Sequence, residues 1–271
     1  MATYLDRILA SHRDAAEADR RDLESLEREV AVLAPARRFA EALVRPSRLA
    51  VIAEVKRRSP SKPTLAVDLD PATLAVAYEE GGASALSVLT DSEFFGGSSD
   101  DLRSARESTS LPVLRKDFTV CRADVLDARL MGADAVLLIV AALRGHELSE
   151  LVALSQRIGL DALVEVHDES EAEAAVAAGA EIIGVNQRDL HSFEVDTARA
   201  VRVAASLPPG CVRVAESGIA GPDDARRLAD AGFDAILVGE TVVTASDPEA
   251  AVASLRARKA RLAERDAVLG A

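Results

Sequence analysis

The stretch LMGADAVLLIV, residues 130–140, carries the pattern that decides the fold. A glycine follows the last residues of an amphipathic segment, as expected at a helix C-terminus, and a short apolar strand follows the glycine. Strands of this kind are typical of parallel sheets that are buried on both faces. The same junction recurs as EEGGASALSVL (79–89), RIGLDALVEV (157–166), AAGAEIIGVN (177–186) and DAGFDAILVG (230–239).

Further strands have the same apolar character without the glycine lead-in. They are AVIAEVK (50–56), LPVLRKD (111–117) and CVRVAES (211–217). Between the strands, the pattern predicts helices over residues 71–80, 99–107, 122–131, 146–158, 168–178, 196–205, 221–231 and 248–263. Asp70 before Pro71 and Asp247 before Pro248 are candidate N-caps.

Eight strands that alternate with eight helices predict an α/β fold, a (β/α)8 TIM barrel. The alternative is a doubly wound open sheet, which usually has a glycine-rich turn after its first strand. Here that loop reads KRRSPSKP, residues 56–63, and we therefore favour the barrel.

Residues 1–48 precede the first predicted strand and contain two apolar stripes, YLDRIL (4–9) and RRFAEALV (37–44). We expect an N-terminal helical extension over 1–48, packed on a catalytic barrel over 49–265. A separate small domain is the alternative for the extension.

The composition excludes several classes of protein. A net charge of −13 argues against nonspecific binding to nucleic acid or to anionic lipid, although a small anionic ligand remains compatible with it. No apolar run approaches the roughly 20 residues of a membrane helix, and the N-terminus does not resemble a signal peptide. Cys121 and Cys211 lie far apart in the sequence, so we expect no disulfide framework and a cytoplasmic protein. No oligomeric partner is evident.

Charged and polar residues follow the apolar strands, where TIM barrels have their active sites. An isolated residue of this kind is compatible with an exposed loop or a local salt bridge. Several together indicate a wet or ligand-filled mouth, because an unpaired buried charge is costly. The strand-end residues are Glu54, Lys56, Arg115, Lys116, Asp117, Glu165, His167, Asn186, Arg188, Glu216, Ser217 and Glu240.

Two loops and a group of aromatic residues suggest what the mouth binds. SGIAGPDDA (217–225) and GETVVTASDP (239–248) follow the last two strands, where such barrels commonly bind phosphate through backbone N–H groups. Gly218 and Gly239 would allow a close approach of the anion, with simple turn chemistry as the alternative. An apolar slot for a ring, or else loop packing, is indicated by Phe94, Phe95, Phe118 and Phe193.

The motifs, in order and spacing, resemble those of the indole-3-glycerol phosphate synthase family. They are IAEVKRRSPS (52–61), FFGGS (94–98), VLRKDF (113–118), LLIV (137–140), ALVEVH (162–167), IIGVNQRDL (182–190), AESGI (215–219) and LVG (237–239). The resemblance implies a lyase of tryptophan biosynthesis that uses no metal or redox cofactor. Its substrate would be a small anionic aromatic sugar phosphate, 1-(2-carboxyphenylamino)-1-deoxyribulose 5-phosphate, which it closes with loss of carbon dioxide and water.

The resemblance also implies roles for residues. Lys116 would be the acid for ring closure and Lys56 a second cation, with the division between them left open. Glu165 would act as base or acid in rearomatisation and dehydration, and Glu54 would balance the lysines. Asn186 and Glu216 would hydrogen-bond substrate hydroxyls.

The remaining implied contacts form two sets. The substrate-binding set is Arg188, Ser59, Pro60, Phe95, Phe118, Leu137, Ile139, Leu190 and Ile219. The phosphate-binding set is Ser217, Gly218, Gly239 and the N–H of Glu240.

The sequence departs from the family pattern at Pro63, where relatives often have glycine, and at Glu240, where many have serine or alanine. We expect a stiffer first loop and a Glu240 carboxylate that turns away from the phosphate. His167 and His191 are interpreted as loop packing.

Two rival interpretations remain. A sugar-phosphate isomerase would need neither two lysines nor a phenylalanine wall. A catalytically inactive barrel kept for binding would have no reason to retain Lys116, Glu165 and Lys56 together.

Overall fold

The computed structural model describes residues 3–45, 47–59, 64–189 and 194–259. Within these ranges, eight parallel strands pair in sequence order, and the first closes on the last. The predicted (β/α)8 barrel is therefore confirmed, and the open sheet is excluded. The strands are β1 (Ala50–Val55), β2 (Ala85–Leu89), β3 (Val113–Lys116), β4 (Ala135–Ile139), β5 (Asp161–Val166), β6 (Ile182–Asn186), β7 (Val212–Glu216) and β8 (Ala235–Val238).

Helices precede β1 and surround the barrel. Those before β1 are α1 (Tyr4–Ala18), α2 (Leu23–Ala31) and α3 (Phe39–Leu43). Those after it are α4 (Pro71–Glu80), α5 (Ser99–Glu107), α6 (Arg122–Leu130), α7 (Glu147–Arg157), α8 (Glu169–Ala177), α9 (Arg199–Ala204), α10 (Pro222–Asp230), α11 (Glu240–Val243) and α12 (Pro248–Ser254). None of the helices in the described ranges is both long and apolar enough to cross a membrane.

Local sequence signals set several helix boundaries. The side chain of Asp70 accepts a hydrogen bond from the Thr73 N–H, and that of Asp247 accepts one from Ala250, so both predicted N-caps are confirmed. The helix predicted over 248–263 ends earlier, at Ser254. There the chain turns to run beside the start of β1, where the Leu49 N–H donates to the Ala257 carbonyl.

The repeated glycine junction has a conformational cause. Gly132 and Gly232 follow α6 and α10 with φ of +96° and +90°, the left-handed region that favours glycine. This geometry ends each helix and directs the chain into the next strand. The junctions quoted from the sequence are thus the structural unit of the barrel.

Side chains of each strand alternate between two apolar layers. In β1, Val51, Ala53 and Val55 pack against the helices, while Ala50 and Ile52 face the barrel interior. Glu54 continues the interior row at the end of the strand. The two-residue period therefore carries polar side chains into the mouth of the barrel wherever a strand ends in one.

The helices before β1 contact both ends of the barrel. Phe39 and Leu43 of α3 are fully buried in the interior cluster, and the Ala40 N–H donates to Asp161 at the start of β5. In contrast, Arg13 of α1 donates to the Ala142 carbonyl, beyond the end of β4. As a result, α3 closes the N-terminal end of the barrel, and α1 lies over the mouth.

Candidate active site

A cavity of about 450 Å³ opens at the C-terminal ends of the strands. Every residue of the implied catalytic, substrate-binding and phosphate-binding sets in the described ranges lines it, whereas Arg115, His167 and Phe94 do not. Pro60 and Leu190, together with Pro63, His191 and Phe193, lie outside those ranges. The lining residues predicted from sequence are Glu54, Lys56, Ser59, Phe95, Lys116, Phe118, Leu137, Ile139, Glu165, Asn186, Arg188, Glu216, Ser217, Gly218, Ile219, Gly239 and Glu240.

The odd-numbered strands supply a charged layer at the base of this cavity. In a TIM barrel, alternate strands contribute the side chains of one interior layer. Here β3 ends at Lys116, β5 presents Glu165 and β7 ends at Glu216. The Lys116 Nζ lies 3.2 Å from a Glu165 oxygen and 3.8 Å from a Glu216 oxygen. Barrel geometry thus brings together groups that are about 50 residues apart in sequence.

The fourth odd strand, β1, adds a second ion pair. The Lys56 Nζ donates to Glu54, which is buried. We expected Glu54 to balance both lysines. It contacts Lys56 directly and acts on Lys116 through its charge, while the direct contacts of Lys116 are Glu165 and Glu216. The two lysines therefore have separate carboxylate partners.

The charges of this layer set the protonation of its strongest pair. Burial alone would lower the pKa of Lys116, but the Glu165, Glu216 and Glu54 carboxylates raise it above its usual value. Burial alone would raise the pKa of Glu165, but the Lys116 charge, His167 and the Asn186 hydrogen bond lower it overall. At neutral pH, Lys116 is therefore a cation and Glu165 an anion.

Glu216 has the opposite tendency. Burial and the neighbouring Glu165 carboxylate raise the pKa of Glu216 well above its usual value, which favours its protonated form. Its Oε1 accepts no hydrogen bond from any described residue. Two carboxyl groups whose pKa values are driven apart are suited to different acid–base roles.

We predict that Glu216→Gln reduces the loss of stability at alkaline pH. Because folding raises the pKa of Glu216, its contribution is complete below the unfolded pKa of about 4.3 and is lost as pH rises through the folded pKa. Glutamine cannot ionise, so the variant should avoid a loss of up to about 1.4 kcal/mol per pH unit. Denaturant unfolding of both proteins from about pH 4 upward to about pH 9 measures this. Parallel stability curves would contradict it.

Asn186 orients its neighbours as well as facing the cavity. Its Nδ2 donates to Glu165 Oε1 at 3.0 Å, and its Oδ1 accepts from the Arg188 N–H at 3.0 Å. Among the described residues, these contacts fix the carboxylate of Glu165 and the backbone that carries Arg188, and the expected bonds to substrate hydroxyls stay a prediction. The amide side chain therefore couples β5 to the loop after β6.

The candidate phosphate loops are fastened by residues that the sequence analysis missed. Ser217 has a φ of +63°, unusual for a residue with a side chain, and its carbonyl accepts a hydrogen bond from Gln187 Nε2 at 2.7 Å. Thr241 donates from its hydroxyl to the Ile219 carbonyl at 2.7 Å. These bonds join the loops after β6, β7 and β8, and no pattern in the sequence marks Gln187 or Thr241 for this role.

Gly239 leaves room for the ion pair of β1. A Cβ at this position would collide with Glu54 Oε1 and lie 2.9 Å from Lys56 Nζ. The missing side chain therefore accommodates the Glu54–Lys56 pair, and its expected role in letting an anion approach stays a prediction.

Gly239→Ala should therefore lower kcat at least about tenfold, because the added methyl group displaces the ion pair of β1 from its place in the cavity. Steady-state turnover measures the effect. Gly221→Ala is the matched control, since a Cβ there meets no atom within 4 Å. Equal activity of the two variants would show that the pair tolerates displacement.

An apolar wall faces the charged layer. The Phe95 and Phe118 rings lie 6.2 Å apart between centroids, and Leu137 and Ile139 of β4 line the same cavity. Phe94 points elsewhere and contacts the Tyr4 ring edge-on at 5.8 Å. Of the three described phenylalanines that were predicted to form the slot, Phe95 and Phe118 line the cavity, and Phe94 packs a loop.

The N-terminal helix also contributes to the cavity. Tyr4, Leu5 and Ile8 of α1 line it beside the phenylalanine wall. The YLDRIL stripe was interpreted only as a surface for packing on the barrel. Its helical spacing marked the buried face, but only the tertiary structure shows that this face covers the mouth.

His167 has a role beyond the loop packing expected of it. Its Nδ1 lies 3.0 Å from a Glu171 oxygen, and its Nε2 lies 3.6 Å from Glu165 Oε1. Burial alone would lower the pKa of His167, but Glu171 and Glu165 raise it overall. The raised pKa favours the imidazolium form, whose charge, like that of Lys116, lowers the pKa of Glu165.

One further group in the described ranges has the spacing of metal ligands. His12, Asp91 and Asp117 place one ligand atom each within 4.8 Å of one another. Asp91 already accepts hydrogen bonds from His12 and from two backbone N–H groups, and Asp117 pairs with Arg115. Hydrogen bonding and ion pairing account for this arrangement.

Comparisons with known proteins agree with this geometry. Residues 5–255 match the family described as indole-3-glycerol phosphate synthase. The chain is 50% identical over 265 residues to the indole-3-glycerol phosphate synthase of Streptomyces griseus, covering 97% of this chain and 98% of that one. It is 50% identical over 256 residues to that of Mycolicibacterium vanbaalenii, covering 94% of each.

A solved structure shares the fold. The thiamine phosphate pyrophosphorylase of Pyrococcus furiosus superposes with a TM-score of 0.57 at 20% identity, over 76% of this chain and 93% of that one. At that identity, the likeness concerns the barrel and not the chemistry.

Proposed function

The chain belongs to the indole-3-glycerol phosphate synthase family and is a decarboxylating lyase of tryptophan biosynthesis, and we propose that the cavity at the C-terminal ends of its strands carries out the reaction. The proposed substrate is 1-(2-carboxyphenylamino)-1-deoxyribulose 5-phosphate. The observation that carries the proposal is the charged layer, in which Lys116 contacts one carboxyl group whose pKa is lowered and one whose pKa is raised.

The cavity offers an anionic substrate three cationic side chains, those of Lys56, Lys116 and Arg188. Two of the carboxylates that line it, Asp91 and Asp117, are bonded to His12 and Arg115. We propose that Lys56 and Arg188 meet the substrate carboxylate. A buried anion needs such partners, because the loss of its hydration is otherwise uncompensated.

The other two parts of the substrate have matching surfaces. We propose that the phosphate binds the N–H groups of Ser217, Gly218, Gly239 and Glu240, which line the cavity after β7 and β8. The anthranilate ring would lie against Phe95 and Phe118, with Leu137, Ile139 and Ile219 around it. The exposed Glu240 carboxylate would point away from the phosphate.

Ring closure is the first chemical step. The aromatic carbon that bears the carboxylate attacks the ketone carbon, and the carbonyl oxygen gains negative charge. Lys116 would stabilise this charge and donate its proton, because it is a cation held at the centre of the charged layer. The carboxyl groups on either side of Lys116 would hold its ammonium group in place by ion pairing, and the lysine would keep the proton that it donates.

Decarboxylation and dehydration complete the indole. Loss of carbon dioxide returns an electron pair to the ring, and the new hydroxyl group then leaves as water after it gains a proton. Glu165, ionised and held by Asn186, would remove the proton whose loss forms the last double bond. Glu216 would donate its hydrogen bond to a substrate hydroxyl.

The decisive experiment supplies the ribulose-phosphate substrate to the purified chain. We expect the indole product, followed by its fluorescence, and carbon dioxide to form in equal amounts. Absence of both from folded protein would overturn the proposal. Isomerisation of the ribosylamine precursor without indole formation would instead favour the sugar-phosphate isomerase interpretation.

We also propose that the enzyme works in the reducing cytoplasm and that residues 1–48 act with the barrel as one unit. The thiols of Cys121 and Cys211 are both unpaired, which suits a reducing compartment. The unit is supported by Leu5 and Ile8, which are buried where α1 covers the cavity.

A further inference from the structure

His12 of α1 reaches from the N-terminal helix to the barrel mouth. Its Nε2 lies 3.0 Å from Asp91 Oδ2, in the loop after β2. An ionised carboxylate only accepts hydrogen bonds, so the Nε2 carries the proton and donates it. Asp91 is buried, and the His12 side chain is 19% exposed, which shields this bond from water.

Asp91 also bonds the turn that carries Phe95 of the phenylalanine wall. Its second oxygen, Oδ1, accepts from the backbone N–H groups of Phe94 at 2.6 Å and Phe95 at 3.0 Å. The carboxylate therefore fixes the turn that presents Phe95 to the cavity. His12 fixes the carboxylate from the other side.

His12 contacts the other half of the wall directly. Its ring centroid lies 5.7 Å from that of Phe118, at an interplanar angle of 43°. Its Nε2 also lies 3.8 Å from Asp117 Oδ1, and that oxygen accepts from the Phe118 N–H at 2.8 Å. One side chain thus touches the supports of Phe95 and of Phe118, which lie on loops after different strands.

We propose that His12 is a positioning residue that holds the Phe95–Phe118 wall in the spacing that binds the anthranilate ring. This inference rests on the proposed function, because it names the part of the substrate that the wall receives. His12 touches neither the charged layer nor the phosphate loops in any described contact. Its effect should therefore fall on substrate binding and not on the chemical steps.

The electrostatic setting makes the effect depend on pH. The charged groups that act on His12 are Asp91 and Asp117 from the strand ends and Asp124 from α6, and Arg115 pairs with Asp117. Burial alone would lower the pKa of His12, but these carboxylates raise it overall. A raised pKa means that the cation persists to higher pH than in an ordinary histidine and is lost as pH rises through the folded value. Above that value, Asp91 and Asp117 lose a shared compensating charge.

The test measures kcat and KM for the ribulose-phosphate substrate with His12→Ala, His12→Gln and Ser11→Ala. At neutral pH we expect His12→Ala to raise KM about tenfold, corresponding to the loss of one charge-assisted hydrogen bond, with kcat changed less than about twofold. The ratio of its KM to that of the wild type should shrink at alkaline pH. His12→Gln keeps an N–H donor without the charge, so its KM should be intermediate.

Ser11→Ala is the matched control, because Ser11 contacts the same loop at the exposed Glu93 and not at Asp91. Its KM should stay within about twofold of the wild type. The inference is overturned if His12→Ala changes kcat alone, if its KM ratio is constant with pH, or if Ser11→Ala matches it. Should His12→Ala fail to fold, an unchanged KM in His12→Gln overturns it. Inactivity of the wild type would instead reject the proposed function.

Discussion

Replacing Lys116 with methionine should lower kcat by about a thousandfold, the range expected when a general acid that also stabilises charge is removed. Methionine has a similar length but neither a proton to donate nor a charge. Lys116 contacts both Glu165 and Glu216, and no other described cation contacts both carboxyl groups. Single-turnover kinetics with indole fluorescence measure the loss at the chemical step.

The same substitution should change stability in a pH-dependent way. Without the ammonium group, Glu165 faces Glu216 with no cation between them, and ionisation of both becomes costly. We expect the variant to lose more stability than the wild type as pH rises. Denaturant unfolding at several pH values measures it.

Lys259→Met is the matched control for Lys116. Lys259 forms an ion pair with Asp234 at 2.9 Å at the N-terminal end of the barrel, away from the cavity. The Lys259→Met variant should be less stable than the wild type and keep its kcat.

Lys56→Met separates the two candidate acids, and we expect it to raise KM more than it lowers kcat. A larger kcat loss for Lys56→Met than for Lys116→Met would reverse their roles.

Glu165→Gln should lower kcat by at least about a hundredfold, as expected for removal of a general base. Glutamine still offers an oxygen to Asn186, so the geometry of the site is largely kept. It cannot accept a proton, and the step that forms the last double bond should become rate-limiting. Accumulation of an intermediate after carbon dioxide release, followed by slow indole fluorescence, is the measurement.

This variant should also change Glu216. The Glu165 carboxylate is one of the causes that raise the pKa of Glu216, and Lys116 would be left to pair with Glu216 alone. We therefore expect the pKa of Glu216 to fall. Glu173→Gln is the control, because Glu173 is exposed on α8 and does not line the cavity. A full kcat in Glu165→Gln would remove Glu165 from the proposed mechanism.

The sequence alone was sufficient for the barrel and for most of the cavity. The glycine junctions predict where each helix ends and each buried strand begins, since a left-handed residue is a local requirement. The two-residue period of a strand then places Glu54, Lys116, Glu165 and Glu216 on one side of their strands. Family motifs added the implied roles, and every described residue of the implied catalytic and binding sets lines the cavity.

Contacts between distant segments were decided only by the tertiary structure. Which lysine pairs with which carboxylate depends on barrel closure, which places β3 between β1 and β5 in the charged layer. The protonation of Glu216 depends on burial and on Glu165, neither of which a local pattern reports. Gly239 is explained by the Glu54–Lys56 pair on a neighbouring strand.

His12 is the clearest case. The sequence around His12 is that of an ordinary amphipathic helix and gives no sign of function. Its importance arises because α1 crosses the mouth and brings the imidazole to Asp91, 79 residues further along the chain. Local conformational preferences determine strands, helices and the side to which a residue points. Ion-pair energies and pKa values depend on groups that are distant in sequence and that folding brings within a few ångströms of each other. They can therefore be read only from the tertiary structure.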